Sequence, residues 1–61
     1  MGSKAHILVV DDDKPTVLII SSVLKKHGYK VDTAYDGING LKKARELRPD
    51  LIILDIMMPL M

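Results

Sequence analysis

Leu51-Ile52-Ile53-Leu54-Asp55-Ile56-Met57-Met58-Pro59 is the stretch on which the reading of this chain turns. Four apolar residues lead into a single acid, with Pro49-Asp50 ahead of them and Pro59 closing the segment. An apolar run that short, bounded by turn residues, reads as a buried parallel strand. Asp55 then stands at the strand's C-terminal end, the edge at which open α/β sheets bind ligands. The same arrangement occurs once earlier, where Ile7-Leu8-Val9-Val10 runs into Asp11-Asp12-Asp13. Two such strands side by side would bring their acids into one pocket.

Working outward, residues 5–10 are the first strand, apolar at successive positions and so expected to be covered on both faces. Asp13, or as the second choice Asp12, is positioned to cap the next helix, about Lys14 to His27, with Pro15 in its first turn. Thr16, Ile19, Ile20, Val23, Leu24 and His27 share a helical spacing and are the expected inner face, with Val17 and Leu18 outside it. Gly28 is a C-terminal stop, and Lys25, Lys26 and His27 suit the negative end of the helix. A half-exposed edge strand, about Lys30 to Ala34, follows. Tyr35-Asp36-Gly37 is a turn, and Asp36 caps a second helix of about Gly37 to Arg48. Its expected inner face is Ile38, Leu41, Ala44 or Arg45, and Leu47 or Arg48, with Lys42 and Lys43 outside. The third strand is Asp50 to Leu54. The fold class is α/β, a β-α-β-α-β run with strand order 2-1-3, which puts one helix on each sheet face and gathers Asp11, Asp12 and Asp55 at the crevice.

Composition narrows the function. The 61 residues can form one domain at most, and a domain that small is marginally stable. There is no cysteine for a disulfide or thiolate metal site. Nine basic residues against eight acidic ones give a net charge of +1, which argues for neither nucleic acid nor an anionic membrane as partner. The runs Ile7–Val10, Val17–Ile20 and Leu51–Leu54 hold four apolar residues each, far below the roughly 20 that span a bilayer. No signal-peptide pattern is present, so a cytoplasmic protein is expected. Residues 1–4 are read as a cloning remnant and disordered start. His6 and His27 are read as solvated or core-edge residues, and Met57, Met58 and Met61 as loop packing. Gly37 and Gly40 do not make a dinucleotide loop.

Carboxylates brought within a few ångströms repel one another unless a cation joins them. An all-oxygen donor set suits Mg²⁺. Such a pocket can hold a phosphate-bearing ligand, or let one carboxylate attack phosphorus to form an aspartyl phosphate. Asp55, alone at its strand end, is the candidate nucleophile, and Asp11 and Asp12 are the candidate metal holders.

Ile7-Leu8-Val9-Val10-Asp11-Asp12-Asp13, Tyr35-Asp36-Gly37 and Leu51-Ile52-Ile53-Leu54-Asp55-Ile56-Met57-Met58-Pro59 together resemble the receiver domain of bacterial two-component response regulators. The resemblance covers nearly the whole chain after residue 4 and implies a flavodoxin-like fold. It implies that Asp55 is the phosphoacceptor, taking a phosphoryl group from a sensor histidine kinase. It implies Mg²⁺ bound by Asp12 and Asp55, by Asp11 mainly through water, and by the backbone carbonyl of Met57. A non-enzymatic signalling module is expected. An aspartyl phosphatase is disfavoured because Met57 stands where that chemistry usually needs a second acid. The family's receiver has five strands and five helices. Residues 5–61 are therefore expected to be its N-terminal half, lacking the Ser or Thr and the Lys that contact the phosphoryl group, with phosphorylation weakened accordingly. The alternative is an inert fragment that self-associates. The third strand carries no charge and no proline, so a homodimer or an exchange of elements is expected to cover it.

Overall fold

A computed structural model describes residues 4–54 of the chain. His6–Val10 form strand β1, whose Leu8 and Val9 are fully buried and whose Ile7 and Val10 nearly so. Strand β1 lies at the centre of a three-stranded parallel sheet of order β2-β1-β3, with β2 at Lys30–Ala34 and β3 at Leu51–Leu54. The register pairs Val10 with Ala34 on one side and with Leu54 on the other. All three strands therefore end level, at one edge.

Helix α1, Lys14–Lys26, and helix α2, Gly37–Leu47, cover opposite faces. On the α1 face Ile7, Val9 and Val17 form a buried cluster, joined by Ile20, Leu24, Val31 and Ile53. On the α2 face the cluster is Leu8, Val10 and Ala34, with Ala44 packed against it. Each fully buried aliphatic side chain contributes about 1.5–3 kcal/mol of transfer free energy. The β-α-β-α-β order and the strand arrangement agree with the expectation from sequence.

The caps fix the helix ends. The Asp13 carboxylate accepts the Thr16 N–H at 3.2 Å, and Pro15 follows within the first turn. At the other end Tyr29 N–H donates to Leu24 O (3.1 Å) and Gly28 N–H to Lys25 O (2.9 Å). That pair of bonds is a Schellman closure, and Gly28 takes the positive φ of 92° that it requires. His27 caps α1 instead of belonging to it, with its Nδ1–H donating to Val23 O at 2.9 Å. Arg48 likewise lies outside α2, as a left-handed cap at φ 48° ahead of Pro49.

Ile20 and Leu24 of α1 and Ala44 of α2 face the sheet as expected, but both helix faces otherwise differ from the expected ones. In α1 the residues turned to the sheet are Val17, Ile20, Ser21 and Leu24, whereas Ile19 and Val23 are more than half or half exposed. Six aliphatic residues between positions 17 and 24 make a stripe wider than one packing face, so spacing alone does not choose its phase. The three-residue connection at Asp11–Asp13, held by the Asp13 cap, decides which side meets the sheet. In α2 Ile38 and Leu41 are exposed, and the contact face is Gly40 with Ala44. Small residues let the helix backbone come close to Val10, where larger ones would hold it off. Lys43, expected outside, folds back to donate to the Thr33 carbonyl.

Strand β3 is parallel as expected, but its side chains are largely exposed rather than buried, because among the described residues it has a neighbour on one side, β1.

Candidate functional site at the C-terminal sheet edge

The carboxyl end of β1 runs into Asp11 and Asp12. Where β1 stops, Asp11 N–H donates to Ala34 O at 3.2 Å, tying the β1–α1 connection to the end of β2. The Asp11 Oδ1 atom accepts the Asp13 N–H at 2.9 Å, a small loop that leaves Oδ2 uncommitted among the described residues. Asp13 is occupied as the helix cap, accepting from both the backbone N–H and the hydroxyl of Thr16. Asp12 is exposed and has no hydrogen-bond partner among the described residues. In the structure Asp13 closes the helix, while Asp12 and the Oδ2 atom of Asp11 have no hydrogen-bond partner among the described residues.

Asp55 and Met57 lie outside the described residues. What the structure provides is the framework ahead of them. Val10 and Leu54 are register partners, so β1 and β3 reach this edge together, and their next residues in sequence are Asp11 and Asp55. Among the described residues no group of three potential metal ligands occurs. The donors present, the carboxylates of Asp11 and Asp12, are hard oxygen ligands of the kind that fits Mg²⁺.

The rim of the edge comes from the β2–α2 turn. Asp36 caps α2, accepting the Asn39 N–H at 2.7 Å and its side-chain amide at 2.8 Å. The Asn39 backbone N–H, then its side chain, hold the Asp36 carboxyl below the usual range. Just before it Tyr35, partly exposed, faces the Lys14 ammonium, which stands 5.6 Å from the ring centroid. This contact between α1 and the β2–α2 turn has no signature in the sequence, since residues 14 and 35 belong to different units. At the opposite end of the sheet His6 Nε2 lies 2.5 Å from the Asp32 carboxylate, and its backbone N–H donates to Asp50 at 2.7 Å. His6 is thus a core-edge residue, at the end of β1 away from Asp11 and Asp12.

Beside α2 runs an apolar groove of about 350 Å³, lined by Val10, Gly37, Gly40, Leu41, Ala44, Ile52 and Leu54. Its walls offer no titratable group, so it has no part in the chemistry of the acids.

A family model described as the response regulator receiver domain matches residues 7–61. The chain belongs to that family. Among curated relatives, this receiver chain is 51% identical over 53 residues to the alkaline phosphatase synthesis transcriptional regulatory protein PhoP of Bacillus subtilis, covering 87% of the chain and 22% of that protein. It is 44% identical over 59 residues to the transcriptional regulatory protein PrrA of Mycobacterium leprae, covering 97% of the chain and 25% of that protein. Among solved structures, the receiver fold matches the chemotaxis response regulator CheY4 of Vibrio cholerae with a TM-score of 0.91 at 42% identity, over 97% of this chain and 49% of the other. The N-terminal domain of a response regulator receiver protein from Methanoculleus marisnigri JR1 gives 0.90 at 41% identity, over 97% and 48%. The chain thus spans about a quarter of the length of these curated relatives and about half of these solved chains.

Proposed function

We propose that this chain supplies the phosphoacceptor part of a response regulator, with Asp55 as the residue phosphorylated. The observation that carries the reading is the level ending of β1 and β3 at one sheet edge, with Val10 beside Leu54. The sequence continues from those two strands into Asp11-Asp12 and into Asp55. In the reaction a carboxylate oxygen of Asp55 attacks the phosphorus of a phosphohistidine on a sensor histidine kinase. The new O–P bond forms as the P–N bond breaks, and the imidazole leaves with the electron pair of that bond. Asp11, Asp12, Asp55 and the Met57 carbonyl would hold Mg²⁺, which when bound offsets the negative charge spread over the transferring oxygens. The Asp13 cap and the Asp11 loop keep the β1–α1 connection in place and leave Asp12 free to bind. The module transfers no group to a further substrate of its own, and we place it in the cytoplasm, where its kinase partner would act. The described helices are too short and too polar to cross a membrane.

The test is a small phosphodonor with Mg²⁺, followed by intact mass. A phosphoryl adduct that disappears in Asp55→Asn supports the reading. Absence of any adduct, in a chain that circular dichroism shows to be folded, removes it.

A second property rests on β3. Leu51, Ile52 and Leu54 are about half exposed on a strand without charge or proline. We propose that a second copy of the chain pairs with this edge. An antiparallel two-fold contact centred on Ile52 sets Leu51 against the partner's Ile53 on the α1 face, and keeps both α2 helices on one side of a continuous sheet. Sedimentation equilibrium tests it: a folded monomer at micromolar to millimolar concentration removes the proposal.

A further inference from the structure

Three carboxylates in succession are followed directly by Lys14, the nearest cation in the sequence. An ion pair between Lys14 and one of them would be the default for an exposed lysine at that position. The structure shows none; the ammonium lies instead over the ring of Tyr35, 5.6 Å from its centroid. The order of the sheet gives this a direction. Tyr35 follows β2, on one side of β1, while β3 lies on the other. A lysine drawn to Tyr35 is drawn away from the gap between β1 and β3.

We propose that Tyr35 is a positioning residue for cation binding: its ring parks the Lys14 ammonium so that the carboxylates of Asp11 and Asp12 stay unneutralised and open to a divalent ion. The proposal rests on the reading of Asp11 and Asp12 as Mg²⁺ ligands. A lysine released from the ring would compete for the same oxygens, and Mg²⁺ would have to displace it. The expected size follows from the contact. A cation–π interaction at an exposed site is worth a factor of about two to five in an equilibrium constant, and that bounds the competition which the ring suppresses.

The experiment titrates Mg²⁺ itself into four forms of the chain: unsubstituted, Tyr35→Leu, Lys14→Gln and the double variant. Binding is read from the backbone amide resonances of residues 11–13. Tyr35→Leu is expected to weaken binding about two- to fivefold, and the double variant to return to the unsubstituted affinity or above. Tyr35→Phe, which keeps the ring, should behave like the unsubstituted chain. Loss of the ring-current shift on the Lys14 side-chain protons in Tyr35→Leu, at unchanged far-UV dichroism, would report the release directly. An unchanged affinity in Tyr35→Leu, or an equal loss when Lys14 is already Gln, overturns the proposal while leaving the site intact. If the unsubstituted chain shows no saturable shift that Asp12→Asn abolishes, the metal-site reading itself falls and takes the proposal with it.

Discussion

Gly40→Ala sets two effects of one methyl group against each other. Gly40 is buried on α2, and a Cβ there would stand 2.8 and 3.0 Å from the two γ-carbons of Val10. Carbon atoms pack favourably at about 3.5–4.0 Å. Val10 cannot yield easily, because it is 2% exposed and branched at Cβ, with one preferred rotamer. The helix must therefore lift by roughly 0.7 Å, loosening Ala44 from the Leu8–Val10–Ala34 cluster. Overpacking of this kind costs about 1–3 kcal/mol. Replacing a helical glycine by alanine returns about 1 kcal/mol. The net expectation is a loss of about 1 kcal/mol, or about 4–8 °C in Tm for a domain of this size. The assay is urea unfolding followed by far-UV dichroism, at one fixed protein concentration because self-association would shift the midpoint. Val10→Ala alone should also destabilise, by about 1.6 kcal/mol or more for two buried methyl groups. Combined with Gly40→Ala its cost should shrink, since the new methyl occupies the space vacated, giving a coupling of about 1 kcal/mol. A Gly40→Ala chain that gains stability, with an additive cycle, would refute the close approach of α2 to β1.

Further outcomes follow from other positions. Ser21 is buried in α1 with its hydroxyl oxygen unpartnered among the described residues, so Ser21→Ala should stabilise by about 1 kcal/mol, readable as a higher urea midpoint. Arg48 holds a left-handed backbone, and Arg48→Gly should raise Tm by the equivalent of about 0.5–1 kcal/mol, less the added entropy of the unfolded chain. The Asp36 carboxyl is lowered from 3.8 by its bonds to Asn39, so its contribution is present above that pH and is lost as pH falls through the lower, folded-state value. Thermal melts from pH 5 downward should show a shallower acid decline in Asp36→Asn, which keeps a capping oxygen but cannot titrate. Asp12→Asn should abolish the Mg²⁺-dependent shifts at residues 11–13 without lowering Tm, because that carboxylate caps nothing among the described residues.

Strand–helix alternation, chain order and both N-caps were legible because each depends on residues close in sequence. Asp13 with Thr16, and Asp36 with Asn39, are contacts three residues apart. The place of Asp11 and Asp12 was legible for the same reason, as residues that directly follow the apolar run of β1. The helix faces were not. Val17 sits fully buried, while Ile19 and Val23, as apolar as Val17, lie in solvent. A stripe of aliphatics admits several phases, and the short connection from β1 selects one. In α2 Ala44 packs inward as its spacing implied, but Ile38 and Leu41 do not, and Gly40 packs beside Ala44, since what counts there is how near a backbone can come to Val10.

By itself the sequence determined the order of elements, the ends of the helices and the strand end that runs into Asp11 and Asp12, because short-range hydrogen bonding and strand length settle those. Tertiary structure alone decided which side of each helix is covered and that Lys14 turns to Tyr35. Those outcomes depend on distances between parts of the chain that meet only once β1 lies between its two neighbours, and no local pattern encodes such distances.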